Sequence, residues 1–561
     1  MKLNSKRKII VVVFFLLVGV TGLTYFRLSK PNFANNQELT ISAGVVPHHL
    51  LAEEIIVDFF DYIDSKEDPE RIILLSPDHF KTGDIIGNSF ISLNADTERF
   101  YGLEMDHDLI ENLSFKNEIV LNNPAINYDH GITDLMPFIE NRFPDTKIAP
   151  FLIPASISKE KVEKFVHSLN SLTCPETIVI ASVDFSHYLT PGAADFHDVK
   201  SIRTLINFEK EGFPDLEVDS WHSLYVARKF AKLRKKESPG FIRHANSTDF
   251  LPEGDVGEMT SYFSVVFEDG KAGRGFSGKT VLITGNIVVD NQVEKLITEE
   301  NKYYPLRQIS QFLKGVDLVA GGMEFSFPDL AINNPTNFFK DLTEILSWAR
   351  FDLILTTDHV DLNSEQNKSE EFFEKTEIDT ATPASKNNFF EKEGVAFLSF
   401  DENTDSDLSS EKIKELIESI RKKNPDYFLI TIIHRSGNTE GKNKDAWKGL
   451  AYNTIDFGAD LVVGKGTGFT KKIEEYEGKL IFSSLGGFLT GRNSQKTGFS
   501  LGVEIYPEKT VYRIFPIENK IGQLSLMSPS DRKSFLINLS EKSSPGLIDE
   551  IRSGTIKKDN Q

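Results

Sequence analysis

Ten of the twelve histidines fall between His48 and His244, and three of them stand just past short apolar runs. His48 follows the run 41–46 and Pro47; His79 follows 72–75 through Ser76, Pro77 and Asp78; His187 follows 178–182 through Val183, Asp184, Phe185 and Ser186. Three neutral imidazoles suit a borderline divalent cation, often completed by a carboxylate, with positions left open for water or substrate. Asp219, in Asp219-Ser220-Trp221-His222, is the candidate carboxylate ligand, and His130, in Asp129-His130-Gly131, is the candidate proton-transfer group. His49 competes with His48, because adjacent residues leaving a strand point in different directions and one of the pair faces the ligand. His107, His167 and His197 read as surface residues or hydrogen-bonded core residues.

Such a trio meets only if a sheet gathers it. From Gln37 onward, β-branched and apolar runs (41–46, 72–75, 148–153, 178–182, 262–267) alternate with stretches of helical spacing such as 50–63 and 159–172, the latter after a Ser158 cap. That alternation predicts an α/β sheet covered by helices, and in open sheets of this kind the carboxyl ends of the strands converge on one crevice. A glycine-rich, charged break at 268–279 separates this domain from a second α/β series with candidate strands at 280–284, 316–320, 353–356, 427–433, 461–463 and 480–484. Residues 364–393 read as a long polar loop, and 540–561 as a polar tail.

Several of these stretches resemble the Memo family, also called AmmeMemoRadiSam system protein B. They are Val46-Pro47-His48, Leu75-Ser76-Pro77-Asp78-His79, Asp129-His130-Gly131 with Leu135-Met136-Pro137-Phe138, and Ser182-Val183-Asp184-Phe185-Ser186-His187-Tyr188, followed downstream by Asn246-Ser247-Thr248-Asp249 and Ser261-Tyr262-Phe263. The resemblance covers 38–268. It implies a fold similar to class III extradiol dioxygenases and assigns His48, His79 and His187 to the metal, with His130 as another histidine of the motifs. Two departures stand out: His49 and Leu50 follow the first histidine where the family has small residues, and Asp219 stands where the family has a cysteine. A hard carboxylate in place of a soft thiolate shifts preference from copper toward iron, zinc or manganese.

Residues 278–525 more weakly resemble the CapA-like domain of poly-γ-glutamate capsule proteins, similar to calcineurin-type metallophosphatases. The matching stretches are Thr284-Gly285-Asn286, Gly322-Met323-Glu324, Asp358-His359, Ile433-His434-Arg435-Ser436-Gly437, 458–464 and 481–488. A two-metal centre needs a bridging carboxylate and several imidazoles. Asn286 stands where the bridging aspartate would be, and 465–468 stands where a Gly-His-x-His loop would be, which leaves His359, His434 and Glu324. The expectation is a degenerate domain kept for binding or scaffolding.

Composition sets the remaining bounds. At 561 residues, 40% hydrophobic and 26% charged, the chain is long enough for two globular domains and is not of disordered type. The single cysteine, Cys174, excludes an intramolecular disulfide framework and a cysteine-based zinc cluster. A formal charge of −20 argues against nucleic acid as partner. Lys2, Lys6, Arg7 and Lys8 precede an uncharged apolar run at 9–26, long enough for one membrane helix. An anchor over 1–30 is favoured over a cleaved signal peptide, because no small-residue cleavage pattern follows; the cations would keep the amino end in the cytoplasm and everything after it outside. The sequence therefore predicts two α/β domains behind one membrane helix. The first would hold a divalent ion (iron, zinc, manganese or copper) and perform metal-dependent oxidation or hydrolysis on a small molecule. The alternatives are a non-catalytic envelope-binding or scaffold protein that recognises a polymer, and a capsule or polyglutamate protein acting through the second domain.

Overall fold

The computed structural model describes residues 39–560, apart from 95, 252–256, 271–274, 290, 300, 326–334, 357–372, 374–375, 382–387, 402–409, 435–443, 467, 492–496 and 521. The apolar run 9–26 lies outside the described residues. Among the described ones, no helix is long and apolar enough to cross a membrane.

The first sheet is built on strands β1 (Ile41–Val46), β2 (Arg71–Pro77), β3 (Lys147–Ile153) and β4 (Thr177–Ser182). They run parallel in the order β3-β2-β4-β1, and the antiparallel strands β5 (Ser238–Asn246) and β6 (Ser261–Glu268) continue it as β1-β6-β5. Short strands, among them Leu103–Met105, extend the other edge. β1 and β4 are buried along their whole length, as parallel strands covered on both faces must be. Helices carry apolar stripes to those faces: Glu53–Asp64 contributes Ile56, Phe59, Phe60 and Ile63, and Lys159–Leu172 contributes Val162, Phe165, Val166 and Leu169.

A second unit opens with β7 (Lys279–Val289). It continues through β8 (Leu318–Phe325), β9 (Leu353–Thr356), β10 (Val395–Asp401), β11 (Phe428–His434), β12 (Leu461–Lys465), β13 (Lys479–Phe482), β14 (Thr497–Ile505) and β15 (Lys509–Lys520). They form two sheets, one ordered β9-β8-β7-β14-β15 and the other β10-β11-β12-β13. Alternation along the strands explains the layering. Val281, Ile283, Leu353 and Leu355 meet Ile430, Ile432, Leu461 and Val463 between the sheets. Leu282 and Ile354 point outward to helix Pro335–Trp348, and Leu429, Ile433 and Val462 point outward to helices Ser410–Lys423 and Lys444–Asp456.

Two expectations need correction. Residues 540–561 are not a polar tail: helix Ile548–Ser553 and strand β16 (Thr555–Asp559) close the unit, and β16 pairs with β15 from Lys509↔Asp559 to Arg513↔Thr555. The second domain consequently runs past 525. The segment is polar by composition, yet its few apolar residues are spaced to reach one core, where Leu547, Ile551 and Ile556 are fully buried. Within 364–393, short strands Asp379–Ala381 and Phe389–Lys392 add to the edges of the two sheets.

Truncating a fully buried isoleucine removes its transfer energy and leaves a cavity, so Ile551→Ala should destabilise the second unit by roughly 2–5 kcal/mol in denaturant unfolding. A change of only a few tenths would mean that the carboxyl-terminal segment is not packed as described.

Candidate metal centre

Strand register brings the site together. Val46 of β1 lies beside Ser182 of β4, Leu75 of β2 lies beside Ala181, and Pro77 lies beside Ile153 of β3. The carboxyl ends of the three strands are therefore level, and a residue two positions past each end enters the same crevice. Those residues are His48, His79 and Asp184. His130 comes from the first position of the short helix α1 (His130–Thr133), whose N-cap is Asp129. Asp219 comes from the loop ahead of helix α2 (Trp221–Leu233), whose N-cap is Ser220.

The ligand atoms of His48, His79 and His130 lie within 4.8 Å of one another, and so do those of His48, Asp184 and Asp219. Ring centroids are 4.9 Å apart for His48 and His79, 5.2 Å for His48 and His130, and 3.8 Å for His79 and His130. His48 is buried, His79 half-buried and His130 exposed, so the trio runs from the interior to the mouth.

Neighbouring groups fix which nitrogen of each inner imidazole is free. Ser182 Oγ donates to the carbonyl of Gly131 at 2.5 Å, so it accepts from His48 Nδ1 at 3.1 Å. His79 Nδ1 donates to Asp129 Oδ1 at 2.9 Å. Asp129 is fully buried and also accepts from Ser76 Oγ, from the backbone N–H of Gly131 and from that of His79. This is the carboxylate–histidine arrangement that orients a metal ligand from its far side. In both rings the Nε2 lone pair is left facing the crevice.

Electrostatics favours the same assignment. Burial, reinforced by His79 and His130, holds His48 well below the ordinary histidine range; partial burial and then His79 lower His130. Both rings are neutral near pH 7. Burial raises Asp184, and burial together with Asp184 pushes Asp219 well up. His48 Nε2 lies 3.5 Å from Asp219 Oδ2 and 3.7 Å from Asp184 Oδ2, and Asp219 Oδ1 is buried without a hydrogen-bond partner. An imidazole lone pair turned on two carboxylate oxygens is unfavourable unless a cation, or a proton held on one of the raised carboxyls, lies between them, and the donors present fit a divalent cation.

The structure brings together four of the five residues expected from sequence. His187 lies outside both groups. It is half-buried five residues beyond β4, lowered by burial, with Asp184 acting to raise it and His79 to lower it. Asp184 joins the cluster and, like His48 and His79, stands two positions past its strand. That spacing was the available signal for Asp184. His130, expected as a proton-transfer group, stands among the donors. His49 turns away to Tyr262, with Nδ1 2.5 Å from the hydroxyl. Cys174 sits beside Arg71 and Thr177, at the opposite ends of β2 and β4, so no thiolate reaches the centre.

Among the described residues, the second unit does not fit a two-metal centre. Asn286 is buried, with its amide nitrogen unpartnered. Lys465 is buried, donates to the carbonyl of Thr284 at 3.0 Å and is lowered to about 7 by burial. Its amine packs so closely on Gly322 that a Cβ there would lie 2.6 Å from Nζ. His434 Nε2 pairs with Ser399 Oγ at 3.0 Å, and His359 lies outside the described residues. An amine at strand ends where cations would need anionic ligands opposes their binding.

At Gly131 a Cβ would lie 2.1 Å from Ser76 Oγ and 3.0 Å from His79 Cε1. Gly131→Ala should therefore displace His79 and weaken metal binding by roughly tenfold or more, read by competition with a chromogenic chelator; unchanged affinity would remove Asp129 and His79 from the centre.

Comparison with known proteins finds matches in two separate stretches of the chain. Residues 24–223 match the family model described as Memo-like protein, and 353–492 match that of the bacterial capsule synthesis protein PGA_cap. A MEMO1 family protein of Caldivirga maquilingensis is 22% identical over 252 residues, covering 43% of this chain and 87% of that protein. One of Metallosphaera sedula is 23% identical over 238 residues, covering 40% and 82%. Among solved structures, purple acid phosphatase PPD1 from yellow lupin seeds aligns over 48% of this chain and 61% of its own, at 11% identity and a TM-score of 0.28. The chain thus joins a Memo-like domain to a domain of the PGA_cap type.

Proposed function

We propose that the Memo-like domain is a divalent-metal centre acting on a small molecule, with His48, His79, Asp184 and Asp219 as its donor set and His130 beside them at the mouth. One observation carries the reading: the free Nε2 of His48 faces Asp219 and Asp184 at 3.5 and 3.7 Å, an arrangement of converging lone pairs that a cation would resolve. Nitrogen and carboxylate donors without thiolate favour iron, zinc or manganese over copper. When bound, such an ion supplies Lewis-acid polarisation of a substrate oxygen, activation of water or, if redox-active, electron transfer. Asp129 orients His79, and Ser182 orients His48. His130 at the mouth, kept neutral, can accept a proton from a substrate approaching from solvent. His187, beside Asp184, is a second proton acceptor at the rim. Oxidation in the manner of class III extradiol dioxygenases and hydrolysis are both within reach of this donor set.

In this reading the PGA_cap domain, similar in architecture to calcineurin-type metallophosphatases, serves as a binding or scaffold module for an envelope polymer. Lys465 favours that role over catalysis. The basic flank and apolar run at 2–26 would anchor the chain in the cell membrane by one pass, with both domains extracytoplasmic and nucleic acid not a partner.

Elemental analysis of the purified chain tests the centre. About one divalent ion per chain is expected, lost in a His48→Ala, His79→Ala double variant that still unfolds cooperatively. A parent protein without stoichiometric metal would leave only the scaffold reading.

A further inference from the structure

Helix α3 (Pro191–Asn207) of the first domain lies along the segment 310–317 of the second. His197, fully buried, donates from Nε2 to the carbonyl of Phe312 at 2.9 Å. Lys200 Nζ donates to the carbonyl of Val316 at 2.8 Å, and Arg203 grips Asp317 through two bonds of 2.8 Å. At Gly315 a Cβ would lie 2.3 Å from the His197 ring. The first two turns of this helix and the loop preceding it give Leu189, Ala193, Ala194 and Phe196 to the core of the second domain, beside Phe312 and Phe515. The contact is close and partly charged in a buried setting, so the segment has little freedom to shift.

From that fixed segment, helix α4 (Ser310–Lys314) sends Gln311 back into the first domain. Its side-chain amide donates to the carbonyl of His187 at 3.1 Å and to the carboxylate of Glu217. These acceptors lie on different loops. The one after β4 carries Asp184 and His187, and the one before α2 carries Glu217 and Asp219. The loops are also tied to each other, since the N–H of Asp184 donates to Asp219 Oδ2 at 3.0 Å and the N–H of Asp219 donates to the carbonyl of Asp184 at 3.2 Å. The loop after β4 is also held to β1 and β6, through the N–H of Val183 to the carbonyl of Val46, the N–H of Phe185 to the carbonyl of Ser261 and the N–H of Ser261 to the carbonyl of Ser186, so the Gln311 and Asp184–Asp219 bonds act chiefly on where the loop before α2 sits against it.

The geometry points to Gln311 as a positioning residue through which the PGA_cap domain holds the carboxylate half of the metal centre in place. This inference rests on the metal reading above. It gives the second domain a task that needs none of the ligands it lacks: setting the separation of Asp184 and Asp219, and with it the coordination geometry that a bound ion experiences. Outer groups that orient ligands typically change metal affinity by about 10–100-fold when removed.

Cobalt(II), whose visible absorption reports coordination geometry, is the probe, added to the full chain and followed by titration. Gln311→Ala should lower cobalt affinity roughly tenfold and change the visible spectrum. Gln311→Met, which keeps length and packing but removes the donor, should do the same and covers the case in which the alanine variant does not fold. Lys200→Met loosens the same interface away from the loops; it should lower the melting temperature while leaving the cobalt spectrum as in the parent. The inference is overturned if both Gln311 variants bind cobalt with parental affinity and spectrum, or if Lys200→Met alters the spectrum as they do. A parent chain that takes up no cobalt overturns the metal reading and this inference together, so the two failures are told apart by the parent measurement.

Discussion

Hydrogen-bond register between β1, β2 and β4 is the constraint on which the site depends. Because Val46 sits beside Ser182 and Leu75 beside Ala181, three chain segments more than 100 residues apart at their extremes leave the sheet at the same height. A slip of one residue in any of these strands would turn its outgoing side chain to the other face. The register is in turn held by burial: with β1 and β4 covered on both faces, any slip exposes or misplaces several β-branched side chains at once.

On that frame, a second set of interactions fixes orientation. Asp129 spends its carboxylate on Ser76, His79 and Gly131, while Ser182 joins His48 to the carbonyl of Gly131. The turn at Gly131 is thus shared by both inner imidazoles, and its lack of a side chain is what lets Ser76 and His79 approach it. The crevice that results is rich in lone pairs. His48 and His130 are lowered by burial and by the neighbouring imidazole of His79, and the two carboxylates are raised by burial and proximity. Each of these shifts has the sign expected of a pocket whose balance is completed by a cation.

The two domains differ in how they treat positive charge at strand ends. The first converges donors with no side-chain cation among them. The second inserts the amine of Lys465 beside Thr284 and Gly322. The two units therefore place different groups at their strand ends, and the contact along α3 makes the second domain a neighbour of the first domain's site.

Much of this was legible in the chain alone. The strands at 41–46 and 353–356 were read to the residue, and most of the others to within a few, because apolar runs bounded by polar residues carry their own signal. His48, His79, His130 and Asp219 were named from type and position. The tertiary structure decided the rest for physical reasons. Asp184 joined the cluster because it stands two positions past its strand, as His48 and His79 do, whereas His187 stands three residues further along the loop, beside Asp184 and outside the groups of converging donor atoms. The segment 540–561 looked polar because composition averages over it, whereas folding needs only Leu547, Ile551 and Ile556 on one side. Sequence thus determined which residues could donate to a metal and which runs would form the sheet. Which lone pairs meet, and what braces them from the neighbouring domain, followed only from strand register and from contacts such as Gln311 to His187, which link positions 124 residues apart and leave no local trace in the chain.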